Sequence, residues 1–158
     1  MEHSSNNTPE KFIFNDGGRA AAGYKGQTGD CVCRAICIAT GKPYQEVYDV
    51  LAYGNATQKK GKRESSKAGK RTASKGISVK RDWFKKYMYS LGFIWTPTMF
   101  IGQGCKTHLK ADELPFGILI CAVSKHWVAV IDGIINDTYD CSRGGTRCVY
   151  GYYRLNNN

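Results

Sequence analysis

Gln27-Thr28-Gly29-Asp30-Cys31-Val32-Cys33-Arg34-Ala35-Ile36-Cys37-Ile38-Ala39 runs from a polar, glycine-containing turn straight into an apolar segment of helical character. Asp30 is placed to cap a helix, because its carboxylate can accept from the free N–H groups of a first turn. Cys31 then lies in that turn, where the helix dipole favours a thiolate. The helix predicted over Cys31 to Thr40 ends at Gly41, a residue suited to the left-handed stop position. Cys33 and Cys37 stand four apart on one helical face and are expected in the core.

A second stretch answers the first. Ser124-Lys125-His126-Trp127-Val128-Ala129-Val130-Ile131-Asp132-Gly133-Ile134-Ile135-Asn136-Asp137 reads as two strands joined by a two-residue turn, since Asp-Gly accepts the positive backbone angles that a tight hairpin requires. A pairing centred on Asp132-Gly133 puts Asp137 opposite Val128. His126 is then diagonal to Asp137 on the same face. Cysteine, histidine and carboxylate in this chain order are the parts of a thiol hydrolase: a nucleophile, a base and a group that fixes the imidazole tautomer. Cys31, His126 and Asp137 are the candidate catalytic residues. His108 is the rival base, and Asp140 and Asn136 are rival orienting groups.

Around these two stretches the chain reads as α+β, helices first and an antiparallel sheet after. Lys11 to Phe14 is a short strand. Pro43 opens a second helix, Tyr44 to Ala52, with Val47, Val50 and Leu51 facing the core and an end at Tyr53-Gly54-Asn55. Ser78 caps a third helix, Val79 to Leu91, with a stripe of Trp83, Tyr87 and Leu91 and with Phe84 and Met88 beside it. Phe93 to Trp95, Leu119 to Val123 and Val149 to Tyr153 are further strands. The stretch from Ile101 to Leu114 has no clean period and is expected to wrap the surface.

The chain has 158 residues, of which 42% are hydrophobic, which suits a single domain with one core. The longest apolar run, Ile118 to Val123, is too short to cross a bilayer, so no membrane association is expected. Met1 to Glu10 has no apolar leader, which points to the cytoplasm of a cell or of an infected host. In that setting the seven cysteines are expected as reduced thiols, and their spacing fits no usual zinc pairing, so no metal and no cofactor are expected.

The net charge of +10 calls for an acidic partner. Twelve of the 23 basic residues fall between Gln58 and Lys86. Within residues 56–76 there is no aromatic or branched aliphatic side chain to bury, so a mobile basic loop is expected. Lys59, Lys60, Lys62, Arg63, Lys67, Lys70, Arg71 and Lys75 are its candidate contacts to nucleic acid or another polyanion. The bland alternative is a solvated linker.

The placement of Cys31, His126 and Asp137 resembles the papain-like cysteine peptidase superfamily. Gly29-Asp30-Cys31-Val32 with Arg34-Ala35 is similar to the Asp-Gly-Asn-Cys-Leu-Phe-Arg-Ala run of ovarian-tumour-type deubiquitinases. His126-Trp127-Val128-Ala129-Val130 followed by Asp137 is similar to the His–Asp hairpin of bacteriocin-processing peptidases. The whole chain also looks like small proteins of bacteria and their phages. The resemblance implies a single papain-like domain, Cys31 as nucleophile, His126 as general base, Asp137 as orienter and Gln27 as oxyanion donor. Papain carries that glutamine two residues further upstream, whereas the backbone N–H of Cys31 needs no side-chain match. Three functions compete: a peptidase or isopeptidase acting on a peptide or protein, a non-catalytic module that contacts nucleic acid through the basic loop, and a peptidoglycan amidase. The sequence leaves the oligomeric state open.

Overall fold

The structure, a computed structural model, describes residues 11–26, 29–57, 73 and 76–156. Its elements are β1 (Phe12–Phe14), α1 (Cys31–Thr40), α2 (Tyr44–Thr57), α3 (Asp82–Ser90), β2 (Phe93–Pro97), a short 3₁₀ turn (Ala111–Glu113), β3 (Ile118–Val123), β4 (His126–Ile131), β5 (Ile134–Asp137) and β6 (Gly151–Leu155). The class is α+β, as expected. The six strands form one sheet in the order β1-β5-β4-β3-β6-β2. All pairings are antiparallel except one: β1 lies parallel to β5, with Phe14 level with Asp137. The expected antiparallel sheet is thus extended by an N-terminal strand that pairs in parallel, so the sheet is mixed.

The sheet separates two apolar layers, because side chains alternate across each strand. On one face Ile120, Ala122, Trp127, Ala129 and Tyr153 pack with Cys33, Ile36 and Cys37 of α1, Val47 and Leu51 of α2, and Phe84 and Met88 of α3. On the other face Leu119, Cys121, Val123, Val128, Val130 and Ile135 are covered by Leu109, Leu114, Cys141 and Val149. Helices seal one side and the loops after β2 and β5 seal the other. Fully burying a side chain such as Leu51 or Ile36 is worth about 1.5–3 kcal/mol each, so both layers hold the sheet in place.

The hairpin has the expected register. Ile131 pairs with Ile134, Val130 with Ile135 and Ala129 with Asn136. Asp132 and Gly133 both take positive φ, 49° and 82°, which is the turn their sequence specifies. Helix α1 begins at Cys31 and stops at Gly41, whose φ of 75° is left-handed.

Other boundaries move. Helix α2 continues to Thr57, five residues past Ala52, because Gly54 lies against the Trp83 ring and Asn55 is buried and donates to the Gly76 carbonyl at 3.3 Å. Tertiary packing overrides the stop that Gly-Asn suggests. Val50 is exposed and leaves the core face to Val47 and Leu51. Helix α3 starts at Asp82; Ser78 instead accepts the Arg81 N–H through its carbonyl and closes a turn. Phe84 and Met88 are the buried side chains of α3, while Trp83, Tyr87 and Leu91 are only partly covered. Strand β6 is displaced two residues toward the C-terminus of the expected Val149–Tyr153. Ala73, inside the expected mobile loop, is buried in the helical layer. Among the described residues no helix is long and apolar enough to cross a membrane.

The seven cysteines are not all thiols. Cys105 and Cys148 form a disulfide, and Cys31, Cys33, Cys37, Cys121 and Cys141 are free. The expectation of reduced thiols throughout is corrected at this pair. The backbone brings the two together through a bridge between His108 and Cys148, a long-range pairing that spacing alone does not reveal.

Candidate active site

The first residue of α1, the first residue of β4 and the last residue of β5 meet at one end of the sheet. Cys31 is half-buried and packs with the helical layer. His126 and Asp137 are buried. The imidazole Nε2 of His126 lies 2.6 Å from Asp137 Oδ2. The diagonal relation set by the hairpin register therefore becomes a hydrogen bond. With Nε2 engaged, Nδ1 is the nitrogen left for a thiol.

Two thiols come to that ring, one from each layer. Burial works against a charged imidazole at His126, but the hydrogen bond with Asp137 and the nearby Cys141 and Cys31 thiols outweigh it and push its pKa up to about 11. Cys31 approaches from α1 and Cys141 from the loop that covers the opposite face. Tyr139, exposed, tilts its ring over His126 with the centroids 5.5 Å apart.

Asp137 is fully engaged. Its Oδ1 accepts the Thr138 N–H at 2.7 Å and faces the Arg34 guanidinium at 3.4 Å. Burial raises its pKa, but the His126, Thr138 and Arg34 partners outweigh burial and hold the carboxyl below the ordinary carboxylate value. Arg34 in turn pairs with Asp30, four residues before it at the N-cap of α1. Asp30 Oδ2 also accepts the Tyr44 hydroxyl at 2.5 Å and meets Arg19 Nε at 3.1 Å. Burial opposes the Arg34 charge, but Asp30 and Asp137 outweigh it, so the guanidinium holds its proton more tightly than usual. A continuous chain of opposite charges thus runs Asp30–Arg34–Asp137–His126, ending at the ring that faces Cys31.

This network corrects the capping expectation. Asp30 stands at the N-cap of α1 and its carbonyl accepts the Arg34 N–H at 3.0 Å, but its carboxylate caps nothing. Buried cations take the carboxylate instead, because leaving Arg34 unpaired inside the protein costs more than leaving a helix N–H open. The first-turn N–H groups of α1 consequently stay available beside Cys31.

The rival residues lie elsewhere in role. Asp140 Oδ1 accepts the Ser142 N–H at 3.0 Å and closes its own loop. The Asn136 amide donates to Ile134 O at 3.0 Å. His108 pairs with Glu113 and stands beside Cys105, not Cys31. Gln27 and the basic residues Lys59, Lys60, Lys62, Arg63, Lys67, Lys70, Arg71 and Lys75 lie outside the described residues. His126, Asp137 and Cys141 hold ligand-type atoms within 4.8 Å of one another, a set that could receive a metal ion. Two of its best donors, Nε2 and Oδ2, already satisfy each other.

Sequence reasoning missed Cys141, Tyr139, Arg19 and Tyr44. Only Arg34 carried a signal, its i,i+4 spacing from Asp30. Comparison with known proteins finds no matching family model, no matching curated protein and no matching solved structure.

Proposed function

We propose that the chain is a cysteine hydrolase of papain-like layout, cleaving a peptide or isopeptide bond. The support is one juxtaposition: a cysteine that opens a helix stands beside a histidine whose far nitrogen is held at 2.6 Å by a buried aspartate. A ring that keeps its proton at neutral pH is the partner that a thiolate needs.

The chemistry follows from those positions. The Cys31 sulfur attacks the carbonyl carbon, and the carbonyl oxygen takes up the negative charge. The N–H of Cys31, in the uncapped first turn of α1, is the donor nearest that oxygen. His126 gives its proton to the departing amine, which leaves a thioester on Cys31. Water then attacks the thioester, His126 accepts its proton, and the acid product departs with the thiol restored. Asp137 fixes the tautomer, and Arg34 fixes Asp137.

Iodoacetamide at neutral pH tests the reading before any substrate is known. Cys31 is expected to label first, and His126→Ala to slow that labelling about tenfold or more. Cys33, whose thiol is pushed up by its hydrogen bond with Cys37 and by burial, and Cys121, pushed up by burial, are expected to stay unlabelled in the folded protein. Labelling of Cys141 with Cys31 inert would overturn the assignment. A panel of fluorogenic peptides, read against Cys31→Ala, then tests turnover.

A further inference from the structure

The disulfide has its own chemistry beside it. Cys105 is exposed, and its sulfur lies 3.7 Å from His108 Nε2. The other ring nitrogen, Nδ1, lies 3.1 Å from Glu113 Oε1. The same Glu113 oxygen accepts the His108 backbone N–H at 2.9 Å, and Lys110 reaches the other oxygen at 3.2 Å. The backbone hydrogen bond and the His108 ring hold Glu113 at about 2, well down the carboxylate range, so it is ionised at neutral pH. A carboxylate on Nδ1 fixes that nitrogen as a donor, and when the ring carries both protons its Nε2–H points at the Cys105 sulfur. Cys148, at the other end of the bond, is half-buried and touches Met99 Sδ at 3.9 Å. His108 is the backbone bridge partner of Cys148, but among the described residues no ring nitrogen or charged side chain lies within hydrogen-bond distance of the Cys148 sulfur. The two sulfurs are therefore unequal: a ring nitrogen faces the Cys105 sulfur and none faces that of Cys148.

We infer that Cys105–Cys148 is a thiol-exchange site, at which a low-molecular-weight thiol attacks Cys148 and displaces Cys105 toward His108. The step conserves atoms and electrons. The incoming thiolate forms a new S–S bond to Cys148 as the Cys105–Cys148 bond breaks. Cys105 leaves with the electron pair and takes up the proton that the incoming thiol released, relayed through His108 Nε2. A second thiol then attacks the mixed disulfide, so two thiols are oxidised to one disulfide and the protein gains two free thiols. Exchange is faster when the leaving thiolate is stabilised, which gives His108 and Glu113 their role. The site does not depend on the hydrolase reading, since it shares no residue with Cys31, His126 or Asp137.

The experiment uses the full chain in the folded state with glutathione as the probe, quenched with acid and mapped by peptide mass. The mixed disulfide is expected on Cys148. Its formation is expected to slow about tenfold in His108→Ala, the size of one charge-assisted hydrogen bond, with a smaller loss in Glu113→Gln. Lys106→Ala serves as the neighbouring control and should react at the wild-type rate. Protection of the buried Cys33 and Cys121 from iodoacetamide in the same samples reports that each variant remains folded. Glutathione found on Cys105, equal rates in wild type and His108→Ala, or reaction only after denaturant is added would each overturn the proposal and leave the disulfide a structural link.

Discussion

Among the described residues stand two sets of cysteine, histidine and carboxylate, and they differ in almost everything but composition. In the first, His126 and Asp137 have side chains 8% and 4% exposed. In the second, His108 and Glu113 are 37% and 28% exposed. The first is assembled from three separate elements, α1, β4 and β5. The second comes mostly from one loop, residues 105–113, closed onto Cys148. The buried set needs a further chain of charges, Arg34 and Asp30 with Tyr44 and Arg19, before its ions are tolerable away from water. The exposed set needs only Lys110, because solvent does the rest. Burial converts similar groups into a strongly coupled unit, and exposure leaves them as loosely coupled neighbours.

The largest effect that separates the two is on hydrolysis. Cys31→Ala is expected to lower turnover of any cleaved peptide by about 10⁴-fold or more, since a covalent mechanism has no substitute for its nucleophile. The double variant Cys105→Ser, Cys148→Ser should keep turnover within about twofold of wild type, as distant independent sites do. A loss of the same size in both would break the division, and a loss in the second alone would move the nucleophile out of α1.

The second effect is on stability. Arg34→Met removes the guanidinium between two buried carboxylates, Asp30 and Asp137. The expected cost is about 3–5 kcal/mol in chemical denaturation, the range for breaking a buried pair from one side. Lys110→Met removes a cation from the exposed set and should leave the midpoint unchanged within error. A neutral result for Arg34→Met would mean that water, not Arg34, compensates the two carboxylates.

What could be read ahead of the structure follows the same division between local and distant causes. Helix α1, its stop at Gly41 and the Asp132-Gly133 hairpin were legible because each is fixed by residues within a few positions of each other. The hairpin register even placed His126 diagonal to Asp137, so the histidine–carboxylate pair was readable from a turn. The Asp30 carboxylate was misassigned to a cap because its three partners, Arg34, Arg19 and Tyr44, come together only in the folded chain. Cys141 had no local signal at all; it reaches His126 because the loop after β5 folds over the second face. The disulfide and the extra turns of α2 fail for the same reason, since Cys148 and Trp83 arrive from far along the sequence. The papain-like resemblance rests on α1 and the hairpin, which are the parts that local rules determine.

The smallest expected effect is on the pH dependence of stability, and it probes the charge state on which the buried set depends. His126 is raised from an ordinary 6.5 to about 11 in the folded protein, against the opposing pull of burial, by Asp137, Cys141 and Cys31. Below about 6.5 the ring is protonated in both folded and unfolded chains, and its contribution to stability is fully present. Between about 6.5 and about 11 the folded ring keeps a proton that the unfolded ring has released, so stability falls as pH rises. One whole proton corresponds to about 1.4 kcal/mol per pH unit, or about 2 kcal/mol between pH 7.5 and 9. Asp137 acts in the opposite direction: its value is lowered, so its contribution is present above the ordinary carboxylate range and is lost as pH falls through its depressed value. Denaturation at pH 7.5 and pH 9 with His126 and with His126→Asn isolates the ring when both carry Cys31→Ala, which removes the thiol whose titration depends on the ring. The chain that keeps His126 is expected to lose more stability than the His126→Asn chain over that interval. Glu113→Gln, in the exposed set, should run parallel to wild type there, since the lowered Glu113 value places its own small contribution on the acid side. If the His126 and His126→Asn chains run parallel instead, the ring is neutral at pH 7.5, and the buried set has no imidazolium to pair with a Cys31 thiolate.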